Sequence, residues 1–561
     1  MDSHLSRALL AAAAAGTALA LAVGGGLAGC GSSSGGAAPD GGGSMPDSST
    51  DSGPTESGPT DGANEAASSD GATDAADSGS DAGSDAAYLD CGKVPPTGTQ
   101  IVASTEPIVL QGGGVTSDGY AFYENTTTQV LYAVNTAGGA PTSLGTNTAQ
   151  GATFYRNGGK AVLFMPVPGD PMTSIGTLDA WSAASGKTTI STSMLGLDSY
   201  NYNYDVTRDG AYVAYVSFNG SGGAIEVSTI DGATQGVLTA NIDFSNEYCL
   251  PFTQFVGNTL LVYYCVLIAP PDSGVSDSSL QIASFPITSS NFGAVPQTNI
   301  VNLPAPSAGD PLQAPYAVSP DGTKLLVAQA TGLFLYPIAG GPPTLIDANG
   351  LGGAFTSSGD VVYQTSSGGL NRYSAAADAG APLTLDSTGV RYLLSVSPDG
   401  NWLQTGQNVN STGSAIDIWL ASATTPGSLT QVWSQTTALP IGFSSDSKYE
   451  TFGTNFPSNF GIETFDFYSS AVSGGTPQKL LTAAGTLAFT TGSKVVVNTN
   501  VDTATGSADI DAIDLSNPGA AATLVAQADP EFFYTASSNK VVYTWYCAPT
   551  STAGLWTVAA P

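Results

Sequence analysis

The chain of 561 residues contains one histidine, His4, close to its start. Past that position no imidazole is available, which excludes Ser-His-Asp and Cys-His nucleophilic mechanisms and the common His-ligated zinc and iron sites. Basic residues are also scarce: 13 Lys and Arg stand against 45 acids, for a net charge of −32. Phosphate backbones and anionic lipid need Lys and Arg to neutralise them, so nucleic acid is excluded as a partner class. No glycine-rich loop ending in lysine is present to cradle a nucleotide phosphate. Helical periodicity is missing outside the first thirty residues. In its place stand short apolar stretches bounded by Gly, Asp and Ser, the pattern of β-strands and tight turns.

What is present begins with an export signal. Arg7 supplies a short positive start and Ala8–Val23 a small apolar segment, short for a membrane span. The following "LAGC", Leu27–Cys30, resembles the lipobox of bacterial lipoproteins. That resemblance implies cleavage before Cys30, acylation of its side chain and anchoring to a membrane. Gly31 in the next position implies the outer membrane, at its periplasmic face or the cell surface. Residues 1–29 are thus read as the signal peptide and 30–90 as a tether. The tether holds twelve acids and no Lys or Arg. It has no Leu, Ile, Val or aromatic residue before Tyr88, so nothing offsets the entropy of ordering it. A flexible chain of that length spans about 40–45 Å. Its "GSSSG", Gly31–Gly35, matches a hydrolase pattern without the flanking strand and helix that pattern requires.

The folded body is read as 91–561. Apart from Cys30 its cysteines are Cys91, Cys249, Cys265 and Cys547, an even number in an exported chain, which suits two disulfides in one of three connectivities. Cys249 and Cys265 flank "LPFTQFVGNTLLVYY", which reads as a hairpin that such a bridge would pin. Cys91 and Cys547 would then join the two ends of the domain.

Repetition is the most informative feature of this body. "AVSPDGTKLLVAQ" from Ala317 and "SVSPDGNWLQTGQ" from Ser395 share a strand, a turn and a second apolar strand. Looser copies start near Gly114, Thr153, Asp205, Gln254, Ala354, Gly442, Ala488 and Phe533, ten turns in all, mostly about 38 to 52 residues apart with one gap of about 64. A later strand, turn and strand follow many of them, as in "LYAVNTAGGAPTSL" and "LFLYPIAGGPPTLI". Two of these later segments, "LDAW" and "IDIW", place Asp and Trp in the same register. Four short strands per unit define a β-propeller. The "SPDG" turn followed by "KLLVA" resembles the WD-like propeller repeat of TolB and related bacterial envelope proteins, although the full Trp-Asp dipeptide is missing.

The expected fold is therefore all-β: a propeller of about ten four-stranded blades, either one large ring or two in tandem, preceded by a disordered tether. The last unit lacks a fourth strand, and "GTQIVAS" near Gly98 is placed to supply it. In the turns, Pro fixes φ at the first corner, Asp bonds to nearby backbone and Gly accepts positive φ. Asp321 and Asp399 are accordingly read as turn residues rather than catalysts.

Two stretches are candidate sites. "DTATGSADID" gathers Asp502, Asp509 and Asp511 as oxygen ligands for Ca²⁺, against the alternative of a plain inter-strand turn. "DSYNYNYDV" sets Tyr200, Tyr202 and Tyr204 on one face of a strand, to meet a ligand or to pack between blades. No other cofactor is expected. The function expected is that of a membrane-anchored envelope lipoprotein whose propeller binds or scaffolds a protein, peptide or glycan. The alternative is a carbohydrate-active enzyme using paired carboxylates in the propeller channel. Peptidases of the prolyl oligopeptidase kind also carry an α/β-hydrolase domain, for which the body leaves no residues.

Overall fold

The computed structural model describes residues 97–560 except 147–152, 158, 167–174, 196–203, 219–222, 243–250, 268–277, 305–314, 375–381, 390, 409–415, 435–437, 456–463, 486, 503–506, 518–520, 529–531, 536–538 and 546–552. All described residues belong to one compact unit, distinct from the segment Cys30–Ala87. Their regular structure is strand throughout, save one short 3₁₀ turn at Phe292–Ala294.

Nine consecutive groups of four antiparallel strands occupy 108–146, 153–195, 204–242, 252–304, 315–347, 350–386, 392–433, 438–484 and 487–528, here blades 1 to 9. Blade 10 takes three strands from 532–559 and its fourth from Thr99–Ala103. The strand expected near Gly98 therefore closes the last blade, pairing Thr99 with Thr557 and Ala103 with Gly554.

Ten clusters of buried side chains lie between successive blades. The last carries Ile101, Val542 and Leu555 of blade 10 against Ile108, Leu110 and Val134 of blade 1. Others join blade 4 to blade 5 through Ile282 and Leu325 and blade 5 to blade 6 through Leu335 and Tyr363. The first strand of a blade also meets the first strand of the next, as between blades 3 and 4 and between blades 5 and 6. Two tandem propellers would need an additional closing seam in mid-chain. The seams instead run in sequence order and close once, giving a single ring of ten blades.

This packing explains the sequence pattern. Second strands are covered by a blade on either side, so Lys324–Gln329 is buried at four consecutive positions and reads "LLVA" rather than alternating. Fourth strands lie at the rim, and Thr344–Asp347 and Thr430–Trp433 keep mainly one inward residue each, Ile346 and Val432. Five of the ten first strands are bulged. In blades 5, 6, 7 and 8 the register skips one residue, Tyr316, Leu351, Leu394 and Ile441 respectively, and in blade 1 it skips Gly112–Gly114.

Candidate functional site

Because strands alternate in direction, each blade sends its first turn and its third-to-fourth turn to one face of the ring. The connections between second and third strands, and between blades, reach the opposite face. These are called the joint face and the connector face.

The joint face is built from the repeated turns. In the fifth blade Gly322 N–H donates to Ser319 O at 2.8 Å, Ser319 N–H donates to Lys324 O at 2.9 Å, and Gly322 has φ 68°. Asp321 Oδ1 accepts from Thr323 N–H at 3.1 Å and from the Ser319 hydroxyl. Blade 7 repeats the arrangement: Asp399 Oδ1 accepts from Ser397 Oγ at 2.6 Å and from Asn401 N–H at 3.0 Å. Both aspartates are thus turn residues, as read from the sequence. The hydrogen bond from Ser319 leads those that hold the Asp321 carboxyl below the usual carboxylate range. At Asp399 burial opposes, and the hydrogen bonds from Ser397 and Asn401 outweigh it.

Neighbouring joints also bind each other. Asp399 N–H donates to Ser447 Oγ of blade 8 at 3.0 Å, and Ser445 Oγ donates to Thr490 O of blade 9 at 3.0 Å. Ser493 Oγ of blade 9 reaches Asp446 Oδ2 at 2.6 Å, and Lys160 Nζ of blade 2 reaches Gly210 O of blade 3 at 2.9 Å. Six of the eleven Lys and Arg among the described residues collect here too. Lys160, Lys324, Lys494 and Lys540 open second strands directly after a joint, and Arg208 and Lys448 lie within joints.

On the connector face the blade 6 to blade 7 connection is clamped by Arg391, which is 4% exposed. Its Nε lies 3.2 Å from Asp386 Oδ2, its Nη1 donates to Gln407 Oε1 at 2.6 Å, and its guanidinium carbon sits 4.0 Å above the Trp419 ring. Asp417, two residues before Trp419 on the same strand face, accepts from Gln431 Nε2 at 2.9 Å. Burial raises the Asp417 carboxyl, with Gln431 and Arg391 pulling the other way. Two arms of the arginine are taken up internally, so this group orders the connection.

Apolar side chains stand free at the same face. Phe252 opens the first strand of blade 4, Phe252–Val256, and is 42% exposed; Leu351 is the bulge residue at the start of the first strand of blade 6 and is 45% exposed. Sequence reading missed both, and the signal was there in part: "GLGG" flanks Leu351 with glycines that accommodate a bulge. An added Cβ at Gly353 would lie 2.3 Å from Val362 O, so only glycine allows the first strand to approach so closely.

Of the residues singled out in the sequence, Tyr204 lies in the seam between blades 2 and 3 with Phe164 and Leu178, at 4% exposure. It packs between blades and offers no face to a ligand. Tyr200 and Tyr202 lie outside the described residues. Asp509 and Asp511 share one face of the blade 9 strand Ser507–Asp514, where Asn500 Nδ2 donates to Asp509 at 2.7 Å and Thr499 Oγ1 to Asp511 at 2.7 Å. Asp502 ends the partner strand opposite Ser507, and its side chain lies outside the described residues. Among the described residues no group of three His, Cys, Asp or Glu side chains is placed to hold a metal ion. The expected hairpin around "FTQFVGNTLLVYY" is present, with Phe252–Val256 paired to Thr259–Leu267. Cys265 on its second strand is fully buried. Cys30, Cys91, Cys249 and Cys547 lie outside the described residues. No described helix is long and apolar enough to cross a membrane.

No family model and no curated protein matches the chain. Solved structures with a similar arrangement include a putative TolB from Agrobacterium tumefaciens, 16% identical with a TM-score of 0.24 over 47% of this chain and 94% of that one. The β-propeller domain of the Trilobed protease from Pyrococcus furiosus is 10% identical, with a TM-score of 0.29 over 68% of this chain and 99% of its own. Porphyromonas gingivalis dipeptidyl peptidase 4 is 12% identical, with a TM-score of 0.37 over 80% of this chain and 65% of its own. The chain spans 54% of a matching prolyl endopeptidase and 51% of the tricorn protease. These similarities concern the propeller fold alone.

Proposed function

We propose that the protein is an exported lipoprotein, acylated at Cys30, whose ten-bladed propeller binds a protein, peptide or glycan on its connector face. The observation that carries this reading is the difference between the two faces. Donors and acceptors of the joints are taken up within and between blades, and the exposed apolar residues toward that end, Val237, Leu345 and Leu383, stand on fourth strands at the rim, whereas Phe252 and Leu351 stand exposed on first strands at the opposite mouth of the ring. A partly exposed aromatic ring suits stacking on a sugar or packing on a peptide side chain. The outer membrane, with 30–90 as the spacer, is the proposed location, and Cys249–Cys265 and Cys91–Cys547 are the proposed disulfides.

Arrays of glycans and of peptides probed with the full chain test the binding reading. Retention is expected, with a loss in the Phe252→Ser, Leu351→Ser double variant and no loss in Thr323→Ala on the joint face. Retention that ignores the connector-face substitutions would overturn the assignment of the face, and release of cleaved glycan would replace binding by hydrolysis. Labelling of cells with an alkyne fatty acid tests the anchor: label is expected on the protein and is expected to vanish in Cys30→Ser.

A further inference from the structure

In every blade the first buried residue of the second strand points into the seam with the preceding blade. Nine of these residues are Ala121, Ala161, Val213, Leu260, Leu325, Val361, Leu403, Val495 and Val541, each with 0% exposure. The equivalent residue in blade 8 is Glu450, also 0% exposed. It follows the joint as Leu403 and Leu325 do, since Ser444 N–H donates to Tyr449 O as Ser397 N–H does to Trp402 O. A carboxyl therefore occupies an aliphatic position of the core.

Its surroundings do not compensate a charge. Neither carboxyl oxygen has a hydrogen-bond partner. Beside it in the sheet lie Phe443 of the first strand and Ser470 of the third. Across the seam blade 7 offers Gln404, whose Nε2 donates to Thr451 O at 3.2 Å and whose Oε1 accepts from Ser395 Oγ at 3.0 Å. The rest of the seam is apolar and includes Leu394, Ile418, Leu420, Val432 and Phe452. Its titratable members are Tyr392 and Tyr468, with Asp466 on the Tyr468 face already paired to Lys479 at 2.8 Å. No charged group acts on Glu450: burial pushes its carboxyl up to about 8, and Gln404 opposes only in part.

We propose that the seam between blades 7 and 8 is a proton-operated latch, closed while Glu450 is neutral and loosened when it ionises. A neutral Glu450 is tolerated at this aliphatic position at a much smaller cost than a charge. An ionised one is a buried, unpaired charge, which a protein core relieves by opening to water. Of the ten seams this is the one that carries such a group at that position, so the ring has one designated place to open.

The sign follows from proton binding. Between the ordinary glutamate value of 4.5 and about 8, the folded chain holds one proton more than the unfolded chain. Stability therefore falls as pH rises through that window and levels off above it.

The test compares the unfolding of the full chain with that of Glu450→Gln and Glu450→Leu across pH 5 to 9. Relative to either variant, the unfolding constant of the native protein is expected to rise about tenfold per pH unit between pH 5 and 8. Hydrogen exchange, corrected for its intrinsic pH dependence, is expected to show the strands Trp402–Asn408 and Tyr449–Thr454 losing protection first. Parallel pH profiles for native protein and variants would overturn the proposal. Should neither variant fold, the infrared carboxyl band of the native protein decides. A protonated carboxylic acid that disappears near pH 8 supports the latch, and its absence at pH 6 contradicts it.

Discussion

At the scale of single residues, the joints show how little chemistry is needed to repeat a fold. The glycine of each "SPDG" turn has positive φ, 68° at Gly322 and 74° at Gly400. At Gly400 a Cβ would also lie 2.6 Å from Ser357 Oγ and 2.7 Å from Ser357 N in the neighbouring joint. Gly400→Ala is therefore expected to cost about 1–2 kcal/mol from backbone conformation alone, and more from the clash, read as a lowered Tm. Asp446 gives a second prediction. Burial would raise its carboxyl, but hydrogen bonds led by Ser493 bring it down to about 2. A depressed acid contributes stability above its unfolded value near 3.8 and loses it as pH falls toward 2. Ser493→Ala is expected to move acid unfolding to a higher pH, which circular dichroism along an acid titration would detect; an unchanged midpoint would contradict the contact between joints. The turn residues were legible because their requirements are local: Pro, Asp and Gly act within four positions. Arg391 and Glu450 were not legible, since "GVRYLL" and "KYETFG" carry no sign that one side chain will be clamped over Trp419 and the other sealed in a seam. Both properties come from residues of other strands and blades.

Elements follow from where each strand lies in its blade. The "LLVA" of Lys324–Gln329 and the "VVV" of Lys494–Asp502 read as apolar strands, and the fold buries both of them on both faces. The closing strand is the element with the largest consequence. Thr99–Ala103 is separated from its partner Gly554–Ala559 by almost the whole body, and it places Ile101 and Val102 in the seam with blade 1. Gly554 admits it closely, since a Cβ there would fall 1.9 Å from Val102 O. Ile101→Ala is expected to cost about 2–5 kcal/mol, the range for deleting a buried aliphatic side chain. Hydrogen exchange in that variant is expected to rise first in blades 10 and 1. Uniform loss of protection across all ten blades would contradict a local closure. This strand was found in the sequence because the last unit was one strand short. The bulges were not found, because first strands of four to six residues are too short for a one-residue shift in alternation to stand out, and Leu351 is the extra residue at the start of one of them.

For the whole molecule, the decisive quantity was the number of joints. Ten turns in the sequence became ten blades, and ten successive seams made them one ring, a choice that counting turns alone left open. Charge distribution emerged only at this scale. Lysines scattered through the sequence collect behind the joints, while the face opposite offers apolar Phe252 and Leu351. If that division marks the working face, contact with a partner depends on position around and across the ring. Photo-crosslinking in intact cells, with the reactive amino acid placed at Phe252, at Leu351 or at Thr323 of the full chain, measures this directly. The proposal predicts discrete adducts from positions 252 and 351 and none from 323. Adducts from 323 alone, or equally from all three, would contradict a connector-face binding function.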